Sequence, residues 1–338
     1  MDVVSDKIGV VNVCFAFLLS IDLLLISVKV GDIVGSLGSV LREQGNLTEA
    51  KAAFERALAI HKVALGVEHP KVATDINNLA GSLRDLGLFT EARSAFERAL
   101  AIFRKALGDE HPLSQLTEQN LSTLLLTIDG TSESYSRAAT DFEESLDLAR
   151  QLGDCEKISL LLANLGMIAA NRGDYVQAEI YFQEGLIQAR EIEHRENVSY
   201  LLANMGALEI KRENYSKAEE YLREGLALAC EMGYRENITA LLSNLGTLSH
   251  SRKNYAQAER YFQEGLALAR EMEHRENICT LLAKLGELAC DQKEYPQAEV
   301  YLQESLALAR QMGHPKMVNI LCLDLDILAH SWRSRDLR

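Results

Sequence analysis

The sequence predicts an all-α solenoid built from tandem helix-turn-helix units. Three observations predict it. A motif returns every 40 residues, as Asn164-Leu165-Gly166, Asn204-Met205-Gly206, Asn244-Leu245-Gly246 and Lys284-Leu285-Gly286. Each copy is followed at fixed offsets by Tyr (Tyr175, Tyr215, Tyr255, Tyr295) and Ala (Ala178, Ala218, Ala258, Ala298), with no strand-like alternation inside the period. Proline is only 4 of 338 residues, so long helices meet few breaks. A fixed period of this size, with a helical pattern inside it, is the mark of stacked helical repeats.

Residues 1–31 stand apart from the repeats. Ile8 to Val28 is an apolar run broken by Asn12, Ser20 and Asp22. At 1.5 Å per residue it would span about 31 Å, about one bilayer core. Its flanks show no positive-inside bias and no small-x-small cleavage site follows. A helix capping the first repeat is therefore the favoured reading. The alternatives are membrane association through residues 8–28 and a cleaved signal.

From Asp32 to residue 153 the units follow a 42-residue spacing: Phe54 recurs as Phe96, and Leu65-Gly66…His69-Pro70 as Leu107-Gly108…His111-Pro112. Gly just past a helix with Pro soon after is a stop signal. Gly45 reads as the end of one helix, and Asn46 with Glu49 as a capping box opening the next. The third unit is irregular, and Thr127 to Ser134 reads as its turn.

Four regular 40-residue units fill 154–314. Asn197, Asn237 and Asn277 read as N-caps of the first helix of each pair. The second helix, as in Ser216 to Met232, carries Ala218, Tyr221, Leu222, Leu226 and Ala229 at helical spacing. Pro296 suits the first turn of its helix. Gly185, Gly225 and Gly265 sit in mid-helix where other units have Ala57, Ala99, Ser145 and Ser305. That pattern favours a locally softened array, so Gly225→Ala is expected to stabilise. Residues 315–338 read as a capping helix with a basic tail.

The order Leu-Gly, Tyr, Ala, Phe/Tyr, Ala/Gly within each pair resembles the tetratricopeptide repeat (TPR) over residues 32–314. The resemblance implies a right-handed superhelix of about seven repeats, with small residues such as Gly166, Ala178 and Gly185 where paired helices cross. The 42-residue units resemble those of kinesin light chains, and the 40-residue units those of bacterial signalling and regulatory proteins.

The chain shows little chemistry. It contains no P-loop, dinucleotide fingerprint, zinc-protease or nucleophile-elbow motif. The histidines, mostly at inter-repeat turns (His69, His111, His194, His274, His314), lack ligand spacing and read as solvated, so no metal or other cofactor is expected. The six cysteines form no framework and read as reduced core thiols of a cytoplasmic protein. A net charge of −14 argues against nucleic acid. What remains is a surface. In the family resembled, the residue before Leu-Gly faces the concave groove, and here it is Asn78, Asn164, Asn204, Asn244 and Lys284. An amide both donates and accepts, so this ladder could grip the backbone of an extended peptide. The expectation is a non-catalytic scaffold for a peptide or protein partner, with no small-molecule substrate. The alternative is the sensor or regulatory arm of a larger signalling or transcription-regulating protein.

Overall fold

The computed structural model describes residues 24–128 and 131–336, and every stretch of regular structure among them is an α-helix. The first is α1 (Leu24–Glu43). There follow α2 (Leu47–Leu65), α3 (Pro70–Asp85), α4 (Phe89–Leu107), α5 (Pro112–Ile128), α6 (Ser132–Leu152), α7 (Cys155–Asn171) and α8 (Tyr175–Glu191). Then come α9 (Arg195–Lys211), α10 (Tyr215–Met232), α11 (Arg235–Ser251), α12 (Tyr255–Glu271), α13 (Arg275–Asp291), α14 (Tyr295–Met312) and α15 (Pro315–Asp336). In chain order they fall into successive pairs from α1–α2 to α13–α14, with α15 last. The described residues form two compact units: those up to Ser82 with Ser94–Thr117, and Leu83–Arg93 with those from Glu118 onward.

In the first unit, small residues of α1 let it lie close on α2. Gly31, Gly35 and Gly38 face His61, Ala57 and Phe54, and a β-carbon at Gly38 would fall 2.8 Å from the Phe54 ring. His61 is only 2% exposed. Its Nδ1 is hydrogen-bonded to Asp75 Oδ2 at 2.6 Å and its Nε2 to the Val28 carbonyl at 3.1 Å, tying α1 to both α2 and α3. Burial pushes the Asp75 carboxyl above its ordinary value, with His61 opposing. Of the apolar run 8–28, residues 8–23 lie outside the described residues. Asn46 does precede α2, but its side chain makes no cap hydrogen bond, so the expected capping box does not form.

In the four 40-residue repeats of the second unit each first helix crosses its partner at a glycine. A β-carbon at Gly166 would sit 2.4 Å from the Phe182 ring, and one at Gly246 equally close to Phe262. These rings, each 1% exposed, fill the space between paired helices, each contributing about 1.5–3 kcal/mol of burial. The mid-helix glycines divide. At Gly225 a methyl would meet Leu241 Cδ2 at 2.9 Å, Leu202 Cβ at 3.2 Å and the Ser199 carbonyl at 3.4 Å, whereas at Gly265 the nearest atom is at 3.4 Å. At Gly225 the Leu241 tip can turn aside and the Ser199 carbonyl is at ordinary contact distance, but the Leu202 β-carbon is fixed to its helix and must give by a few tenths of an ångström, so a methyl is tighter there than at Gly265.

Four local expectations change. Asn197, Asn237 and Asn277 lie inside their helices, and the N-caps are His194, Tyr234 and His274. Nδ1 of His194 accepts the Asn197 N–H at 3.2 Å and that of His274 the Asn277 N–H at 3.3 Å. Asn197 and Asn237 reach back instead to Ser159 and Ser199 of the preceding repeat, at 2.8 and 2.6 Å. The turn histidines are therefore caps: His69, His111 and His314 accept N–H groups in the same way, and His274 and His314 are buried rather than solvated. Thr127 and Ile128 belong to α5, and Thr131 caps α6, so the irregular turn is shorter than expected. Among the cysteines, Cys279 is buried but Cys230 is exposed.

Helix ends also differ between repeats. The residue just past the C-cap takes a left-handed conformation, served by Gly173 (φ 82°) but by Glu213 (φ 62°), Lys253 (φ 59°) and Lys293 (φ 65°) in later copies. A regular ion-pair ladder runs along the second helices: Arg150–Glu184 at 2.6 Å, Arg190–Glu224 at 2.6 Å and Arg270–Glu304 at 2.8 Å. Cys230 interrupts it, standing where the series calls for an arginine opposite Glu264. Segment Leu83–Arg93 packs at the end of α14, where the Phe89 and His314 rings meet edge-on at 5.5 Å.

Candidate functional site

The ladder residues share a register but not a fate. Asn78 lies on α3 in the first unit, half-buried. In the second unit, Asn164 lines a cavity of about 270 Å³. Asn204 has a buried Nδ2 with no hydrogen-bond partner in the chain and stands beside the Tyr200 hydroxyl. Asn244 Nδ2 donates to the Ala203 carbonyl at 3.1 Å, bridging repeats. Lys284 Nζ donates to Thr247 Oγ1 at 2.9 Å and lies 5.9 Å from the centre of the Phe262 ring. Burial pushes the Lys284 ammonium below its ordinary pKa.

The cavity has two chemically distinct walls. Thr123, Thr127, Asn164 and Asn171 contribute polar groups from α5 and α7, while Glu276, His314 and Lys316 stand on the α13–α15 side. Leu126, Phe142, Met167, Ile168, Met317 and Ile320 supply apolar surface between them. Convergent polar groups on an apolar lining are what a ligand site needs. The volume falls just below the ~300–1,000 Å³ of pockets that enclose drug-sized ligands. It suits a short stretch of extended chain rather than a folded body.

Charged groups gather nearby. Arg84 pairs with Asp85 at 2.9 Å, and Glu236 stands 3.7 Å from His274 Nε2. Because His274 Nδ1 accepts a backbone N–H, its proton lies on Nε2, toward that carboxylate. The Glu236 side chain is 73% exposed, yet protein crowds it enough for burial to oppose its charge. The contact with His274 is stronger and holds its pKa below the ordinary carboxylate value. Glu276 has no such partner, and burial raises its pKa.

No sequence motif marks these groups. Their signal was the recurring triplet Arg195-Glu196-Asn197, Arg235-Glu236-Asn237, Arg275-Glu276-Asn277. Its Asn has the character of a cap, while its Glu supplies Glu236 and Glu276. Lys316 lies past the last full repeat, where periodicity gives no guide. Among the described residues, no group of histidine, cysteine and carboxylate side chains is arranged to hold a metal ion.

Comparison with known proteins comes down on the repeat. One tetratricopeptide repeat model matches residues 33–71 and 72–113, and a second matches 157–231 and 237–311. No curated protein matches the chain. Among solved structures, a Rap protein complexed with competence and sporulation factor is 18% identical, with a TM-score of 0.66 over 82% of this chain and 74% of that one. Aspartyl phosphate phosphatase F from Bacillus subtilis is 16% identical, with a TM-score of 0.60 over 88% and 75%. The Rap conjugation gene regulator of plasmid pLS20, in complex with the Phr* peptide, is 16% identical, with a TM-score of 0.59 over 81% and 72%. At these identities the likeness is one of fold.

Proposed function

The chain belongs to the tetratricopeptide repeat family, and on that premise we propose that it is a non-catalytic scaffold holding a short extended peptide. The binding surface lies in its second unit, beside Asn164 and Asn204. The observation that carries this reading is the state of the two amides. Asn164 opens onto a cavity with polar walls and an apolar lining, and Asn204 keeps a buried donor unpaired. An unpaired buried donor costs about 1–3 kcal/mol, which an acceptor on a bound chain would recover. Two of the similar structures hold peptide or factor partners, which supports the same use of the fold here. Asn244 and Lys284 are engaged between repeats and contribute order rather than grip.

Panning a random-peptide phage library against the full-length protein tests the reading. Selected peptides should bind Asn164→Ala and Asn204→Ala at least ten-fold more weakly, at ~0.5–1.5 kcal/mol per hydrogen bond with added loss of packing. Peptides that bind both variants as well as the parent would refute it. A regulatory arm of a larger system is the second reading, favoured by the conjugation gene regulator among the similar structures.

A further inference from the structure

The face of α1 turned away from α2 carries a pattern that the repeats do not explain. Ile26, Val30, Ile33, Leu37 and Val40 follow one another at alternating steps of four and three, and are 58, 42, 69, 53 and 47% exposed. That is the 3.5-residue period of a coiled-coil seam, not the 3.6-residue drift of a helix facing a broad core. The opposite face is already occupied, with Gly31 and Gly38 against His61 and Phe54.

We infer that this seam pairs with α1 of a second copy of the chain, as an antiparallel two-helix coiled coil. The charges choose both partner and direction. Lys29 and Glu43 are exposed at equivalent positions flanking the seam, two heptads apart, with Ser36 midway. In an antiparallel pair with Ser36 opposite Ser36 on one flank of the seam, Lys29 of each copy meets Glu43 of the other on that flank, and Val34 meets Val34 on the other flank. A parallel pair would set Lys29 beside Val34 and leave both charges uncompensated. A two-fold axis through one self-complementary helix is the commonest form of association between copies.

A bilayer fits the same face less well, although α1 is long and apolar enough to cross one. Spanning would require α1 to leave α2, breaking the contact of His61 with the Val28 carbonyl at 3.1 Å and of Lys71 with Asp32 at 2.5 Å. A seam of five side chains is short, so association should depend on concentration.

Sedimentation velocity on the full-length protein, across the micromolar range, tests the inference. The wild type should pass from monomer to dimer. Ile33→Glu with Leu37→Glu should remain monomeric with an unchanged melt, since both side chains lie off the α2 contact. Lys29→Glu alone and Glu43→Lys alone should each weaken the dimer about ten-fold, by turning two exposed attractions into two repulsions. The double reversal should restore it to within about two-fold. A wild type that is monomeric throughout, or a dimer indifferent to the seam variant, would overturn the inference. A double reversal that fails to restore would overturn the antiparallel pairing. Monomers that float with phosphatidylcholine vesicles, and cease to in the seam variant, would assign the face to lipid instead.

Discussion

The Asn244 amide donates to the carbonyl of Ala203 across 3.1 Å, joining two repeats, while Nδ2 of Asn204 one repeat earlier lies near the Tyr200 hydroxyl without a well-formed hydrogen bond. The same residue in the same register thus does two jobs. Asn244→Ala should destabilise the protein by about 0.5–1.5 kcal/mol, whereas Asn204→Ala should stabilise it by about 1 kcal/mol or more, because no bond is lost, an unpaired buried donor is removed and Ala is the better helix former. Urea unfolding of the two variants makes the comparison. Equal losses would show that Asn204 is structural too.

The mid-helix glycines offer a second paired comparison. Gly265→Ala should stabilise by about 0.5–1 kcal/mol, the ordinary gain in a helix with room for a methyl group. Gly225→Ala should destabilise by about 1 kcal/mol, from overpacking, since its methyl would displace the Leu241 tip and press on the Leu202 β-carbon. Thermal melts of the two proteins should move in opposite directions.

Left-handed residues past helix ends are a third lever. Glu213 at φ 62° and Lys253 at φ 59° bear a conformation costing roughly 1–2 kcal/mol for a side chain with a β-carbon. Part of that is returned as glycine's greater unfolded-state entropy. Glu213→Gly and Lys253→Gly should each raise stability by about 0.5–1 kcal/mol. A drop in melting temperature for either would mean that its side chain carries an unrecognised contact.

Completing the ion-pair ladder is the fourth. Cys230→Arg places a guanidinium opposite Glu264, as Arg190 stands to Glu224 at 2.6 Å. Exposed pairs contribute about 0.2–1 kcal/mol and are screened by salt. The gain should be measurable in low-salt buffer and should vanish in molar sodium chloride.

The fold was legible because periodicity is read by counting. The Gly-to-aromatic crossing at Gly166 and Phe182, repeated at Gly246 and Phe262, leaves the same imprint each time. Contacts between repeats are harder to read. Asn197 looked like a cap because Asn caps well, but His194, three residues earlier, reaches the same N–H and frees the amide to bridge to Ser159. Histidine is a rare enough cap that no propensity argument selects it. The cavity depends on Lys316 and Glu276 meeting Asn164 across a great distance in sequence, which no local pattern encodes. Gly225 and Gly265 look alike in sequence, and only the positions of Leu241 and Leu281 tell them apart.

The seating of Phe89 against His314 also bears on how the second unit comes apart. Stacked repeats touch only their neighbours, so they fray from an end and lose cooperativity as they lengthen. Here an early segment is clasped by the last turn of α14, and removing either end breaks a contact of high sequence separation. Such a closure slows folding, because a long loop must be ordered before the contact forms. In return it joins an early segment of the second unit to the end of α14, so the loss of that contact should be felt by the last full repeat as well as by the segment itself.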